Sequence, residues 1–167
     1  MSRRQPLPRL WLMTDERQGE ALWAALERLP RGAGVVFRHH RLAPGERRRL
    51  FERVRKVARR RRLFLLAGGA GLRADGVHNG RGSGFRSASA HDLAELKSAE
   101  RSGAGLVFLS PAFPTRSHPE ARALGPSRFG LIARQARVPI IALGGVDARK
   151  ARRLPHIYGW AGIDAWS

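Results

Sequence analysis

Short apolar runs return eight times along this chain, and most of them lead into a stretch with helical periodicity. The predicted strands cover residues 10–14, 34–39, 63–67, 76–78, 85–90, 106–109, 139–143 and 161–165, and the predicted helices cover 19–29, 44–62, 92–102, 127–136 and 147–154. Parallel strands need a crossover between them, so strand-helix units repeated in this order predict an α/β fold, a closed (βα)8 TIM barrel rather than an open sheet. Barrels of this kind usually have at least about 200 residues, and this chain has 167. The shortfall falls on connections 67–76 and 79–84, which are too short for a helix, and on the eighth strand, which nothing follows. The expectation is a single domain over residues 1–167: a pared-down barrel without outer helices after strands 3, 4 and 8. Apolar barrel surface would then lie bare, which predicts a homodimer that covers it.

The apolar stretch at 10–13 is too short for a signal or membrane segment, so no membrane partner is expected and a cytoplasmic location is predicted. With no cysteine there is no disulfide, thiolate metal site or thiol nucleophile. A formal charge of +19 raises nucleic acid as a partner. Only three of the 32 basic residues, Lys56, Lys97 and Lys150, are lysines, a bias that GC-rich coding produces without any ligand. The densest run, 47–62, lies on a helix whose apolar residues Leu50, Phe51, Val54, Val57 and Ala58 recur at three- and four-residue steps, so arginine covers a solvated face. No nucleic-acid recognition motif accompanies it, and nucleic acid is not the expected partner.

The segment Pro139-Ile140-Ile141-Ala142-Leu143-Gly144-Gly145 points to chemistry. A buried strand that ends in Gly-Gly before a helix start presents bare backbone N–H groups at the C-terminal edge of a barrel, where they suit a phosphate. By contrast, Gly68-Gly69-Ala70-Gly71 lacks a following Lys-Ser/Thr and marks a deleted helix rather than a phosphate loop. Histidines at strand ends, His78 and His91, read as hydrogen-bonded structural residues. On the second strand Arg38 and His40 share the lumen face and His39 points outward. No histidine pair has zinc-site spacing.

Several motifs in order resemble the thiamine phosphate synthase and TenI family: Trp11-Leu12-Met13-Thr14-Asp15, Ala74-Asp75-Gly76-Val77-His78, Ser89-Ala90-His91, Ser110-Pro111-Ala112-Phe113-Pro114-Thr115, Leu124-Gly125 and Ile141-Ala142-Leu143-Gly144-Gly145-Val146. The resemblance runs nearly end to end. It implies a (βα)8 barrel and a transferase of thiamine biosynthesis that joins a pyrimidine diphosphate to a thiazole phosphate with Mg²⁺ on the diphosphate. It also implies substrate and phosphate contacts from Arg38, Ser89, Thr115, Ser117, Gly144 and Gly145.

The chain departs from the family on the diphosphate side. The family's Gln-x-Arg-x-Lys falls on Val36-Phe37-Arg38-His39-His40, so only Arg38 is kept. The Asn-Asp pair after the third strand falls near Ala67-Gly68, and the acidic position past the fourth falls among Arg81, Gly82 and Ser83, so both expected magnesium carboxylates are missing and no metal ligand is assigned. The lysine three residues after Thr115 is His118. The tautomerase branch's histidine falls on Pro111, leaving His40 and His118 as candidate acid–base residues. Three readings stay open: a synthase with altered ligands, a thiazole phosphate tautomerase, and a non-catalytic relative that keeps only the phosphate cradle.

Overall fold

A computed structural model describes residues 6–69, 71–116 and 119–166. Eight parallel strands close into a barrel in sequence order: β1 (Leu10–Met13), β2 (Gly34–Phe37), β3 (Phe64–Gly68), β4 (Gly76–His78), β5 (Phe85–Ala90), β6 (Leu106–Leu109), β7 (Ile140–Ala142) and β8 (Gly159–Gly162). The helices are α1 (Ala21–Arg28), α2 (Pro44–Arg61), α3 (Leu93–Arg101), α4 (Gly125–Ala133) and α5 (Ala148–Ala151). Among the described residues no α-helix follows β3, β4 or β8, and the connections after β3 and β4 are too short for one.

Alternation along the strands sends one set of side chains inward and the other outward. Trp11, Met13, Val36, Leu66, Leu106, Phe108, Ile141 and Ala161 fill the lumen. The Trp11 ring meets Phe108 and Phe64 edge-on at centroid distances of 5.3 and 6.1 Å, and its indole N–H donates to the Pro8 carbonyl at 2.8 Å. Room for that indole exists because residue 34 is glycine: a Cβ there would stand 2.1 Å from the ring. Outward residues bury against helices in two separate clusters. Leu22, Leu26, Phe51, Val54 and Ala58 of α1 and α2 cover β1 to β3, and Leu96, Phe129, Ile132 and Ala151 of α3 to α5 cover β5 to β7. Each of these Leu, Ile, Val and Phe side chains contributes on the order of 1.5–3 kcal/mol.

The bare apolar surface expected where helices are missing is not found. Gly82 in the β4–β5 connection lies against Val77, Leu72 and Ala74 pack on the α1–α2 cluster, and Trp166 from a 3-10 turn (Asp164–Trp166) stacks on Trp160 of β8 at 5.1 Å. Leu131 is the one large hydrophobic side chain exposed among the described residues.

Element ends differ from expectation for local reasons. β2 stops at Phe37 because His39 adopts φ 44 and turns the chain. α4 starts at Gly125, with a proline in its first turn. β8 begins two residues before its predicted start: Gly159 reads as a loop residue, yet a Cβ there would meet the Arg9 carbonyl at 1.9 Å, so only glycine lets these backbones approach. α5 is one turn long, and beyond it Arg153 and Leu154 donate back over three residues as a turn. Among the described residues no helix is long and apolar enough to cross a membrane.

Candidate functional site

The C-terminal strand ends open into one cavity of about 1170 Å³. Arg38, His40, Ser89, Thr115, Gly144 and Gly145, chosen from sequence, all line it, although they come from four different strand ends. The other two expected residues, Ser117 and His118, lie outside the described residues.

At the β1–β3 side, Arg38 is held in place by its neighbours. Its Nε donates to the Thr14 carbonyl at 2.8 Å and its Nη2 to Asp15 at 3.1 Å. Asp15 also caps the 3-10 turn Glu16–Gln18 and accepts from the Arg17 side chain at 2.8 Å. Burial alone would raise the Asp15 pKa, but the hydrogen bonds from Arg17 and the charges of Arg17 and Arg38 outweigh it and hold the carboxyl below its ordinary value. Arg47, in the first turns of α2, donates to the carbonyls of Arg38 at 2.9 Å and Gly68 at 2.6 Å, which ties the ends of β2 and β3 together. His40 lies over Gly68, where a Cβ would come within 2.8 Å of its ring. Burial, with the Arg47 and Arg38 charges beside it, pushes the His40 pKa down, so its neutral form is favoured. His39 is buried on the outer side, stacked on Phe37 at 5.0 Å and bonded through Nδ1 to the Thr14 hydroxyl at 3.0 Å, which is a structural role.

His78 sits deep in the mouth between two hydroxyls, with Nδ1 3.0 Å from Ser87 Oγ and Nε2 3.1 Å from Ser89 Oγ. Burial, reinforced by the Arg38 and His40 charges, lowers its pKa to about 4, so it is neutral in ordinary buffers. Asn79 continues the chain: its Oδ1 accepts from the Ser89 N–H at 2.7 Å and its Nδ2 donates to Ser89 Oγ at 3.2 Å. His91, also on the cavity wall, bonds Glu95 at 2.8 Å. Both histidines are hydrogen-bonded as the sequence predicts.

The β6–β8 side has the glycine turn. Gly144 and Gly145 have φ of 92 and 60, and a Cβ on Gly145 would stand 2.3 Å from the Pro114 carbonyl, so this turn requires glycine. Its carbonyls are used: Gly144 accepts from Phe113 N–H at 3.0 Å and Gly145 from Lys150 Nζ at 3.1 Å. Neither glycine N–H has an acceptor within the described residues. Lys150 itself reaches the cavity wall. Sequence reasoning missed it as a site residue, and the available signal was its rarity: it is one of only three lysines in the chain and stands five residues after Gly145. Asn79 and Arg116 on the same wall had no comparable signal.

A protein of Aquifex aeolicus named "Putative thiamine-phosphate synthase 2" is 33% identical over 182 aligned positions, which take in 94% of this chain and 96% of that one. This chain belongs to the thiamine-phosphate synthase family. The family described as thiamine monophosphate synthase (TMP-TENI) matches residues 87–165, the half that carries the glycine turn. A thiamine-phosphate synthase of Chloroflexus aurantiacus is 27% identical, with 86% of this chain and 76% of that protein aligned. In fold, the chain superposes on thiamine phosphate pyrophosphorylase from Pyrococcus furiosus with a TM-score of 0.79 at 23% identity, covering 95% of this chain and 86% of that one. The family and the barrel expected from sequence are thus both found.

Proposed function

We propose that this protein binds a thiazole phosphate, or a monophosphate ester of like chemistry, at the β6–β8 side of its barrel mouth, as a cytoplasmic member of thiamine biosynthesis. The observation that carries this reading is the Gly144-Gly145 turn: two N–H groups without an acceptor among the described residues, on the wall of a large cavity, with the Lys150 ammonium beside them and Thr115 on the same wall. Backbone N–H groups and a point charge are what a phosphate monoester needs.

The diphosphate side is poorer. Magnesium takes hard oxygen ligands in octahedral geometry. Among the described residues no three His, Asp or Glu side chains are grouped to hold a metal, and Asp15, the carboxylate nearest Arg38, is engaged by two arginines. With Asp15 so committed, no residue is assigned to the ion or to condensation with the pyrimidine diphosphate. A second reading rests on His40. Its favoured neutral form makes it a proton acceptor at the cavity wall, which suits a thiazole phosphate tautomerase.

Calorimetric titration with the thiazole phosphate tests the first reading. The wild type is expected to bind, and Lys150→Gln to bind about tenfold more weakly, on the order of 1.4 kcal/mol. Unchanged affinity in the variant, or no binding by the wild type, would overturn it. Incubation with both substrates, with and without Mg²⁺, checks the second half: Mg²⁺-dependent thiamine phosphate would restore full synthase chemistry.

A further inference from the structure

No helix follows β3 among the described residues, and the end of α2 faces the β3–β4 connection across the barrel flank. At its N-terminal end, away from the mouth, lies a cavity of about 350 Å³ lined by Arg55, Arg59, Arg62, Arg73 and Asp75 over an apolar floor of Ala58, Leu63 and Leu65. It shares no lining residue with the mouth cavity. Four guanidiniums face one carboxylate, Asp75, whose Oδ2 accepts from the Leu65 N–H at 2.8 Å and fixes the β3–β4 connection to the strand. Arg55 pairs with Glu52 on its own helix. Arg59, Arg62 and Arg73 enter no ion pair among the described residues.

We propose that this cavity is a second anion site, which takes a small phosphate ester or inorganic polyphosphate carrying two or more negative charges. Planar guanidiniums bind phosphate oxygens two at a time, and several of them around one pocket leave a charge excess that a multiply charged anion neutralises. The volume sits at the lower end of small-ligand pockets, which admits such an anion and excludes a folded partner. Two plainer origins are insufficient. Cations at the last turn of a helix complement its dipole, which accounts for Arg59, but Arg62 lies beyond α2 and Arg73 comes from a different segment. An arginine-rich composition scatters guanidiniums over a surface without regard to cavities. Arg62 moreover occupies the left-handed position (φ 56, ψ 42) after α2, where glycine is the usual residue, so the chain keeps a guanidinium at the rim at the expense of a strained backbone.

Amide NMR with inorganic pyrophosphate as the probe tests this on the full chain, because it separates the two cavities by position. Pyrophosphate is expected to shift the amides of Arg62, Leu63, Ala74 and Asp75 as a set with its own dissociation constant, distinct from any response at Gly144 and Gly145. Arg59→Gln/Arg73→Gln, which removes two exposed side chains that enter no ion pair among the described residues, should weaken that set at least tenfold. Arg48→Gln/Arg49→Gln, which removes the same charge from the other end of α2, should change it less than threefold. Equal weakening by both pairs would mean that net charge alone attracts the anion, and no shift at this set would mean that the cavity is empty of function; either overturns the proposal. Tighter binding of a single-stranded oligonucleotide than of pyrophosphate would overturn it too, in favour of a nucleic-acid surface. A failure of the mouth to bind thiazole phosphate leaves all these outcomes untouched.

Discussion

His78 shows what burial does to a single group in this lumen. Its two ring nitrogens each meet a serine hydroxyl, and no carboxylate reaches it, so charging it would strand a cation among Phe108 and the barrel wall. A histidine whose folded pKa, about 4, lies below its unfolded value binds more protons when unfolded, so its stabilising effect is whole above about pH 6.5 and is lost as the pH falls toward 4. Urea unfolding at pH 7 and pH 5 should show the wild type losing about 2 kcal/mol more than His78→Gln, at ~1.4 kcal/mol per pH unit. His39 and His40 shift in the same direction, so the comparison with the variant isolates His78. Equal losses in both proteins would place the titrating group elsewhere. Arg38 and His40 were legible in the sequence through the family resemblance, and the Gly144-Gly145 pair because a Gly-Gly strand end is a local pattern. The serine clamp on His78 and the reach of Lys150 to Gly145 were not, since each depends on where a neighbouring strand or turn ends.

At the scale of elements, the β1–β2 pair shows how a strand register can depend on one missing methyl. Trp11 of β1 pairs with Gly34 of β2, and the indole lies across the glycine. Gly34→Ala puts a methyl inside a ring that is fully buried and edge-packed on two others, so it should destabilise by about 3 kcal/mol, the upper end of overpacking costs. Trp11→Leu opens a cavity and should itself cost about 3 kcal/mol. Made together, the two changes should cost clearly less than their sum, because the smaller side chain gives the methyl room. Additive losses in denaturant melts would show that the indole can move aside and that the register is fixed by something else. The order of the elements was legible because hydrophobic period separates strands from helices over whole segments. Their ends were less so: the φ of His39 and the contact of Gly159 with Arg9 are settled by packing between segments distant in sequence.

Over the whole molecule, the excess of positive charge acts against compactness. Folding draws 32 basic residues and 13 acidic ones onto one small surface, and the ion pairs that form there, such as Arg60 with Glu27, Arg55 with Glu52 and Lys97 with Glu100, are exposed or half-buried. Such pairs are worth roughly 0–1 kcal/mol each, while the unmatched arginines repel one another across the surface. The Debye length falls from about 30 Å at 10 mM salt to about 8 Å at 150 mM, so added salt quenches long-range repulsion between arginines before it weakens pairs in direct contact. Raising NaCl across this range should therefore stabilise the fold by about 1 kcal/mol, seen as a Tm higher by roughly 2–4 °C for a chain of this size. A Tm that stays flat or falls would mean that the local pairs outweigh the global repulsion. In that case the arginine excess would carry no folding cost, and anion binding would gain nothing from its relief.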